Sequence, residues 1–224
     1  SVVNGTNTGC DLCPSGTYEE DGICVSCSSD TYSEEGAVEC SECPEGTIAN
    51  NTNTGCNCID SSNSLITLIL YDSYGDGWYA TSTSTHILTV NGIEYGSDFN
   101  SGGPNTGLVE INYSLCLNTS QCIEWIFNDN GSYQNECSWA FYDANGVLLT
   151  EGSSTGSNSS IVDVQGTIGE CIDGCMTITA CNYNISATVD DNSCVEPTGC
   201  ETCSGQTDGS GAIVYNDIDE DGLC

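Results

Sequence analysis

The chain contains no lysine and no arginine in 224 residues, against 33 aspartates and glutamates. A formal charge of −33 repels nucleic acid, because binding phosphate requires Lys or Arg to release its counterions. It repels anionic membranes for the same reason. The absence also removes any guanidinium clamp for phosphate or carboxylate, any Schiff-base or P-loop lysine, and every trypsin-type cleavage site. Histidine occurs once, at His86, so nucleophilic catalysis has a single imidazole to draw on. No G-x-S-x-G elbow accompanies it, and an ordinary strand residue is the simpler reading. No apolar run approaches the roughly 20 residues of a membrane span. The longest, Leu65 to Tyr71, has the length of a strand. No leader is visible and the chain starts at Ser1, which reads as mature or internal sequence.

Cysteine, by contrast, is abundant, at 18 residues. Thiols at this density become cross-links in an oxidising space, and an even count in a Gly-rich chain reads as a disulfide framework. Cys-x-x-Cys pairs at Cys10/Cys13, Cys24/Cys27 and Cys40/Cys43 also have zinc-ligand spacing. Zinc fingers, however, sit in basic intracellular chains, and this chain is acidic. Asn-x-Ser/Thr occurs at Asn4, Asn50, Asn112, Asn118, Asn130, Asn158 and Asn184. In a secreted chain such tripeptides are acceptors for N-linked glycans. Unscreened charge of one sign opposes compaction, so the medium expected is salty and calcium-containing.

Three segments are expected: a cysteine ladder over 1–58, a β-sandwich over 59–170 and a second cysteine-rich repeat over 171–224. The first holds eight cysteines and an internal repeat. Cys13-Pro-Ser-Gly-Thr-Tyr runs to Cys24, Cys27-Ser-Ser-Asp-Thr-Tyr to Cys40, and Cys43-Pro-Glu-Gly-Thr-Ile to Cys56. Units this short cannot bury a core, so cross-links must replace one. The simplest pairing is Cys13–Cys24, Cys27–Cys40 and Cys43–Cys56, although eight cysteines allow many others. These residues resemble the cysteine repeats of ephrin-receptor-like and TNF-receptor-like extracellular proteins, which implies a rod or spacer. Asn4 to Cys10 mirrors Asn50 to Cys56, so the chain is expected to begin inside a repeat, with the partner of Cys10 upstream.

The middle segment changes to period-two apolar patterns at Leu65–Asp72, His86–Val90, Leu108–Tyr113, Cys122–Asn128, Ser138–Tyr142, Val147–Thr150 and Ile161–Val164. Asn91-Gly92 and Asn145-Gly146 are hairpin turns of type I′, which needs positive φ at both central residues. The expectation is an all-β protein: an antiparallel β-sandwich or jelly roll flanked by small disulfide-rich modules. Trp125, Phe127, Trp139 and Phe141 have the alternation of core residues, and Cys122, Cys137, Cys175 and Cys194 join the expected cross-links. Tyr71-Asp-Ser-Tyr-Gly-Asp-Gly-Trp78, with the later Glu136–Gly146 stretch, resembles a β-sandwich domain of large secreted proteins from algae, protists and marine bacteria. Gly174–Asn184, Ala187–Cys194 and Gly199–Cys224 resemble a repeat of long secreted proteins of marine bacteria and algae. That resemblance implies a chain that continues into a further copy.

Calcium is the expected cofactor, in a structural role. Asp217-x-Asp219-x-Asp221-Gly222 places carboxylates at alternate positions before a turning glycine, as in the first half of a calcium loop. Asp72 and Asp76 form a second candidate, joined by Asp129 if the two loops meet. The plain alternative for both is a set of solvated Gly/Asp turns. Trp78 and Tyr79, with Tyr74, either stack on sugars or, for Trp78, anchor the loop to the core.

These features together point to a non-enzymatic structural segment of an extracellular glycosylated filament or surface assembly. Its partners would be copies of itself or a longer repeat array, with neither nucleic acid nor membrane insertion. The flagellar hairs (mastigonemes) of algae are the fibre class that the modules resemble. The alternatives are an adhesin or carbohydrate-binding module on a disulfide-rich rod, and a secreted hydrolase.

Overall fold

A computed structural model describes residues 2–3, 10–78, 86–99, 107–128, 133–154 and 164–216. The fold is all-β, an antiparallel sandwich accompanied by small disulfide-rich modules, and no described residue is in an α-helix. The chain divides into two compact units. Residues 1–88, 94–118 and 127–164 form one, and residues 89–93, 119–126 and 165–224 form the other.

The cysteine repeats of the first unit fold as successive two-stranded hairpins: Thr17–Glu20 with Ile23–Ser26, Thr31–Tyr32 with Ser41–Glu42, and Thr47–Ala49 with Cys56–Cys58. Each is closed by one bridge, Cys13–Cys24, Cys27–Cys40 or Cys43–Cys56. Both Cys-x-x-Cys pairs within this ladder, Cys24/Cys27 and Cys40/Cys43, therefore divide their sulfurs between neighbouring bridges instead of converging on one point. The Pro-x-Gly-Thr turn has a local cause. The Thr17 N–H donates to the Pro14 carbonyl at 3.1 Å, and Gly16 takes φ 86° at the third position, which a type II turn requires. Pro44 to Thr47 repeats this at 3.0 Å, with Gly46 at φ 81°. Backbone bonds also run between hairpins, from Gly16 N–H to Ser33 O at 2.9 Å and from Ser33 N–H to Asn53 O at 3.0 Å. Cys13 is the one apolar residue of this stretch fully withdrawn from solvent among those described.

Eight strands build the sandwich. They are β1 (Ser64–Asp72), β2 (Ile87–Val90), β3 (Ile93–Tyr95), β4 (Val109–Leu117), β5 (Cys122–Asn128), β6 (Cys137–Asp143), β7 (Leu148–Ser153) and β8 (Val164–Gly169). One sheet has the order β4-β1-β6-β7 and the other β3-β2-β5-β8. Strand β1 alternates strictly, sending Ile66, Leu68, Leu70 and Asp72 inward. Trp139 and Phe141 on β6 share this face beside Leu70 and Leu68, and Trp78, Leu88 and Phe127 are buried with them. Phe127 and Trp139 stack with centroids 4.8 Å apart, and Trp78 meets Phe127 edge-on at 5.4 Å. Trp125 is buried as well.

Several expectations change in detail. The turn at Asn91-Gly92 has both residues at positive φ, 51° and 82°. At Asn145-Gly146 only Gly146 does, at 76°. There the Asp143 carboxylate accepts the N–H groups of Asn145 and Val147, both at 2.8 Å, and supports a different turn. The last strand runs over Val164–Gly169 and not Ile161–Val164; residues 161–163 lie outside the described set. Cys137 is not in any of the seven described bridges. It faces the core of the first unit, and the residue opposite it on β1 is Asp72. The ladder's last cysteine, Cys58, is bonded to Cys116 on the edge strand β4.

In the second unit Cys122–Cys171, Cys175–Cys194 and Cys181–Cys203 are bonded, and Cys200 is also disulfide-linked. A short parallel pair, Asp173–Gly174 with Val189–Asp190, and an antiparallel hairpin, Glu201–Cys203 with Ile213–Tyr215, complete it. Disulfides in this number mark an extracellular or secreted protein. No described helix is long and apolar enough to cross a membrane.

Candidate functional site

Alternation along β1 sends Asp72 inward at the strand's last position, where a carboxylate has left water. The following loop satisfies it. Oδ1 accepts the N–H groups of Tyr74 at 2.8 Å and Gly75 at 3.0 Å, and Oδ2 accepts that of Gly77. Gly75 and Gly77 sit at φ 93° and 86°, which lets successive amides turn toward one point. The Asp-Ser-Tyr-Gly-Asp-Gly stretch is thus a nest of amides wrapped round its own first side chain.

The sheet register brings a third acid to this loop. Cys137 pairs with Asp72, so Glu136 stands beside Ser73, whose N–H donates to the Glu136 carbonyl at 3.0 Å. The carboxylates of Asp72, Asp76 and Glu136 each place an oxygen within 4.8 Å of the others. Burial, followed by the negative charge of Asp72, holds the Asp76 carboxyl above its ordinary range. Burial and then the charges of Asp72 and Asp76 do the same to Glu136. With no lysine or arginine in the chain, no side-chain ammonium or guanidinium can neutralise the group.

The structure therefore brings Asp72 and Asp76 together and adds Glu136, the first residue of the Glu136–Gly146 stretch, which is not among the ligands expected from the sequence. Asp129 lies outside the described residues, as do Asp217, Asp219 and Asp221. Trp78 is fully buried, and its Nε1–H donates to the Tyr71 carbonyl at 2.9 Å. It anchors the loop and offers no ring face for a sugar, which corrects its reading as a binding residue. Tyr79 lies outside the described residues, and Tyr74 is exposed. His86 is buried with its ring stacked on Phe127 at 5.9 Å, and its backbone N–H donates to the Trp78 carbonyl at 3.2 Å.

Of the sequons, Asn50, Asn112, Asn118 and Asn184 are described, whereas Asn4, Asn130 and Asn158 are not. Compared with protein-family models, characterised proteins and solved structures, the chain matches none.

Proposed function

We propose that this chain is a structural, non-enzymatic segment of an extracellular glycosylated filament or surface assembly, at the cell surface or on a cell appendage. The observation that carries the reading is the ladder. Three consecutive hairpins are each closed by a disulfide spanning 11, 13 and 13 residues, and they are held without an apolar core of their own. Covalent rungs of this kind resist unfolding and mechanical extension where hydrophobic burial is too small to do so. Partners in this reading are copies of the chain or further repeats, together with N-linked glycans.

Calcium belongs to the same proposal. Asp72, Asp76 and Glu136 would supply carboxylate oxygens to a hard divalent cation, which would offset both the burial and the mutual repulsion of Asp76 and Glu136. Asp72 already accepts three backbone N–H groups, so it would contribute a remaining lone pair while the other two acids do most of the coordination. The cation's role would be to stiffen the loop.

Sedimentation velocity on the native, unreduced protein in calcium-containing saline tests the reading. Species far larger than the 23.4 kDa chain are expected. A monomer at every calcium concentration and ionic strength would overturn it.

A further inference from the structure

Four described sequons occupy different environments. The Asn50 Oδ1 accepts the N–H and hydroxyl of Thr52, at 3.2 and 3.0 Å, and its carboxamide is half-buried. The Asn184 Nδ2 crowds Gly174, 3.1 Å from where a Cβ there would stand. Asn118 is half-buried. Asn112 alone of the four is exposed, on edge strand β4, and among the described residues no hydrogen bond engages its carboxamide. Ser114, the acceptor's hydroxyl residue, is exposed on the same face two positions on.

Register fixes what lies beside Asn112. On the outer face of the sheet its row continues through Ile69 on β1 to Ala140 on β6. Tyr71 and Tyr142 flank that row from opposite sides and influence each other's hydroxyls, and Ala140 between them is only 3% exposed although it faces outward. A shallow groove lined by Tyr71, Ser138, Ala140, Tyr142, Glu151 and Ser153 runs on from this row toward β7. Burial and the influence of Tyr142 push the Tyr71 phenol up to about 12, so it stays neutral under all physiological conditions. Directly opposed residues in a sheet lie about 5 Å apart and diagonal ones about 7–8 Å, which is within reach of sugars attached at Asn112.

We propose that Asn112 carries an N-linked glycan whose first sugars lie across Ile69 and Tyr71, covering the outer face of this sheet. The inference rests on the extracellular, glycosylated reading given above. The attachment forms a bond from Nδ2 to the anomeric carbon of a lipid-pyrophosphate-linked oligosaccharide. The carbon–oxygen bond to pyrophosphate breaks, the lipid pyrophosphate leaves, and one Nδ2 proton passes to a base. The occupant follows from charge. Glu110 and Glu151 act on Tyr71 from either side, and a second copy of a chain at −33 would bring more negative charge onto them. A neutral sugar avoids that repulsion. Its hydroxyls donate to the carboxylates and its apolar ring face covers Ile69 and the tyrosine rings.

The test uses the native secreted protein, cleaved after acidic or aromatic residues because trypsin has no site. Glycopeptide mass spectrometry locates the glycans, and hydroxyl-radical footprinting is run before and after enzymatic removal of N-glycans. The expected result is a glycan at Asn112, with oxidation of Ile69 and Tyr71 rising severalfold on its removal while Tyr18 in the ladder is unchanged. A bare Asn112 beside other occupied sequons overturns the inference and leaves the proposed function standing. A glycan at Asn112 with unchanged oxidation overturns the covering role. Seven bare sequons overturn the glycosylated reading and this inference with it.

Discussion

Cys58 and Cys116 are bonded across a sequence separation of 58 residues, with their Cα atoms 5.6 Å apart. The bond ties the last hairpin of the ladder to edge strand β4 of the sandwich. It closes a larger loop than the rungs before it, so it removes more freedom from the unfolded chain. Replacing both cysteines by serine is expected to lower the unfolding free energy by about 4 kcal/mol. Guanidinium unfolding of the unreduced double variant, with the three ladder bridges verified by peptide mapping, measures this. A loss under about 1 kcal/mol would mean that the junction is held by packing alone.

Asp72 organises its loop from inside the protein by accepting the N–H groups of Tyr74, Gly75 and Gly77. Asp72→Ala removes this acceptor from the loop and is expected to cost at least about 1–3 kcal/mol, the cost of one buried donor left unsatisfied. Asp72→Asn keeps one acceptor oxygen and is expected to cost clearly less. Thermal unfolding of the two variants in chelator separates this architectural role from any role in holding a cation.

Asp76 and Glu136 hold their protons more tightly in the folded state than in the unfolded one. Their contribution to stability therefore falls as pH rises from the ordinary carboxylate range through the raised values. In chelator at pH 7, Asp76→Asn and Glu136→Gln should each raise Tm, by roughly 2–4 °C. The gain should shrink as pH falls through the carboxylate range and the native carboxyls take up protons. With calcium in excess the sign should reverse if the cation sits among these three acids. Unchanged Tm in all conditions would show that the cluster is solvated and idle.

Trp78 tests the distinction between anchor and ligand platform. Trp78→Ala empties a fully buried site and is expected to cost about 3–5 kcal/mol. Gly96→Ala should also destabilise, because a Cβ there would stand 2.8 Å from the Trp78 ring at a φ of 96°. Scanning calorimetry reads both. A Trp78→Ala variant of native stability would contradict the packing.

Much of this arrangement is legible in the sequence because it is local. The Cys-Pro-x-Gly-Thr repeat contains its own turn, and the alternation in Leu65–Asp72 names its inward residues directly. What is not legible depends on register and on distant partners. Glu136 joins Asp72 only because Cys137 pairs with Asp72 across the sheet, and no spacing in the chain encodes that. The strand Val164–Gly169 is hidden by Gln165-Gly166-Thr167, which lacks apolar alternation. Its glycine is needed because the Trp125 ring occupies the space that a Cβ of Gly166 would fill. The Cys58–Cys116 bond is concealed by the number of possible pairings. Trp78 could have faced either way, and the hydrogen bond to the Tyr71 carbonyl fixes it inward.

The central claim, a structural segment of an extracellular assembly, is tested most directly by negative-stain electron microscopy of the native, unreduced protein, imaged in calcium and then in chelator. The account predicts regular filaments or arrays with a fixed axial repeat in calcium, loosening when it is removed. Dispersed single particles in both conditions would contradict it.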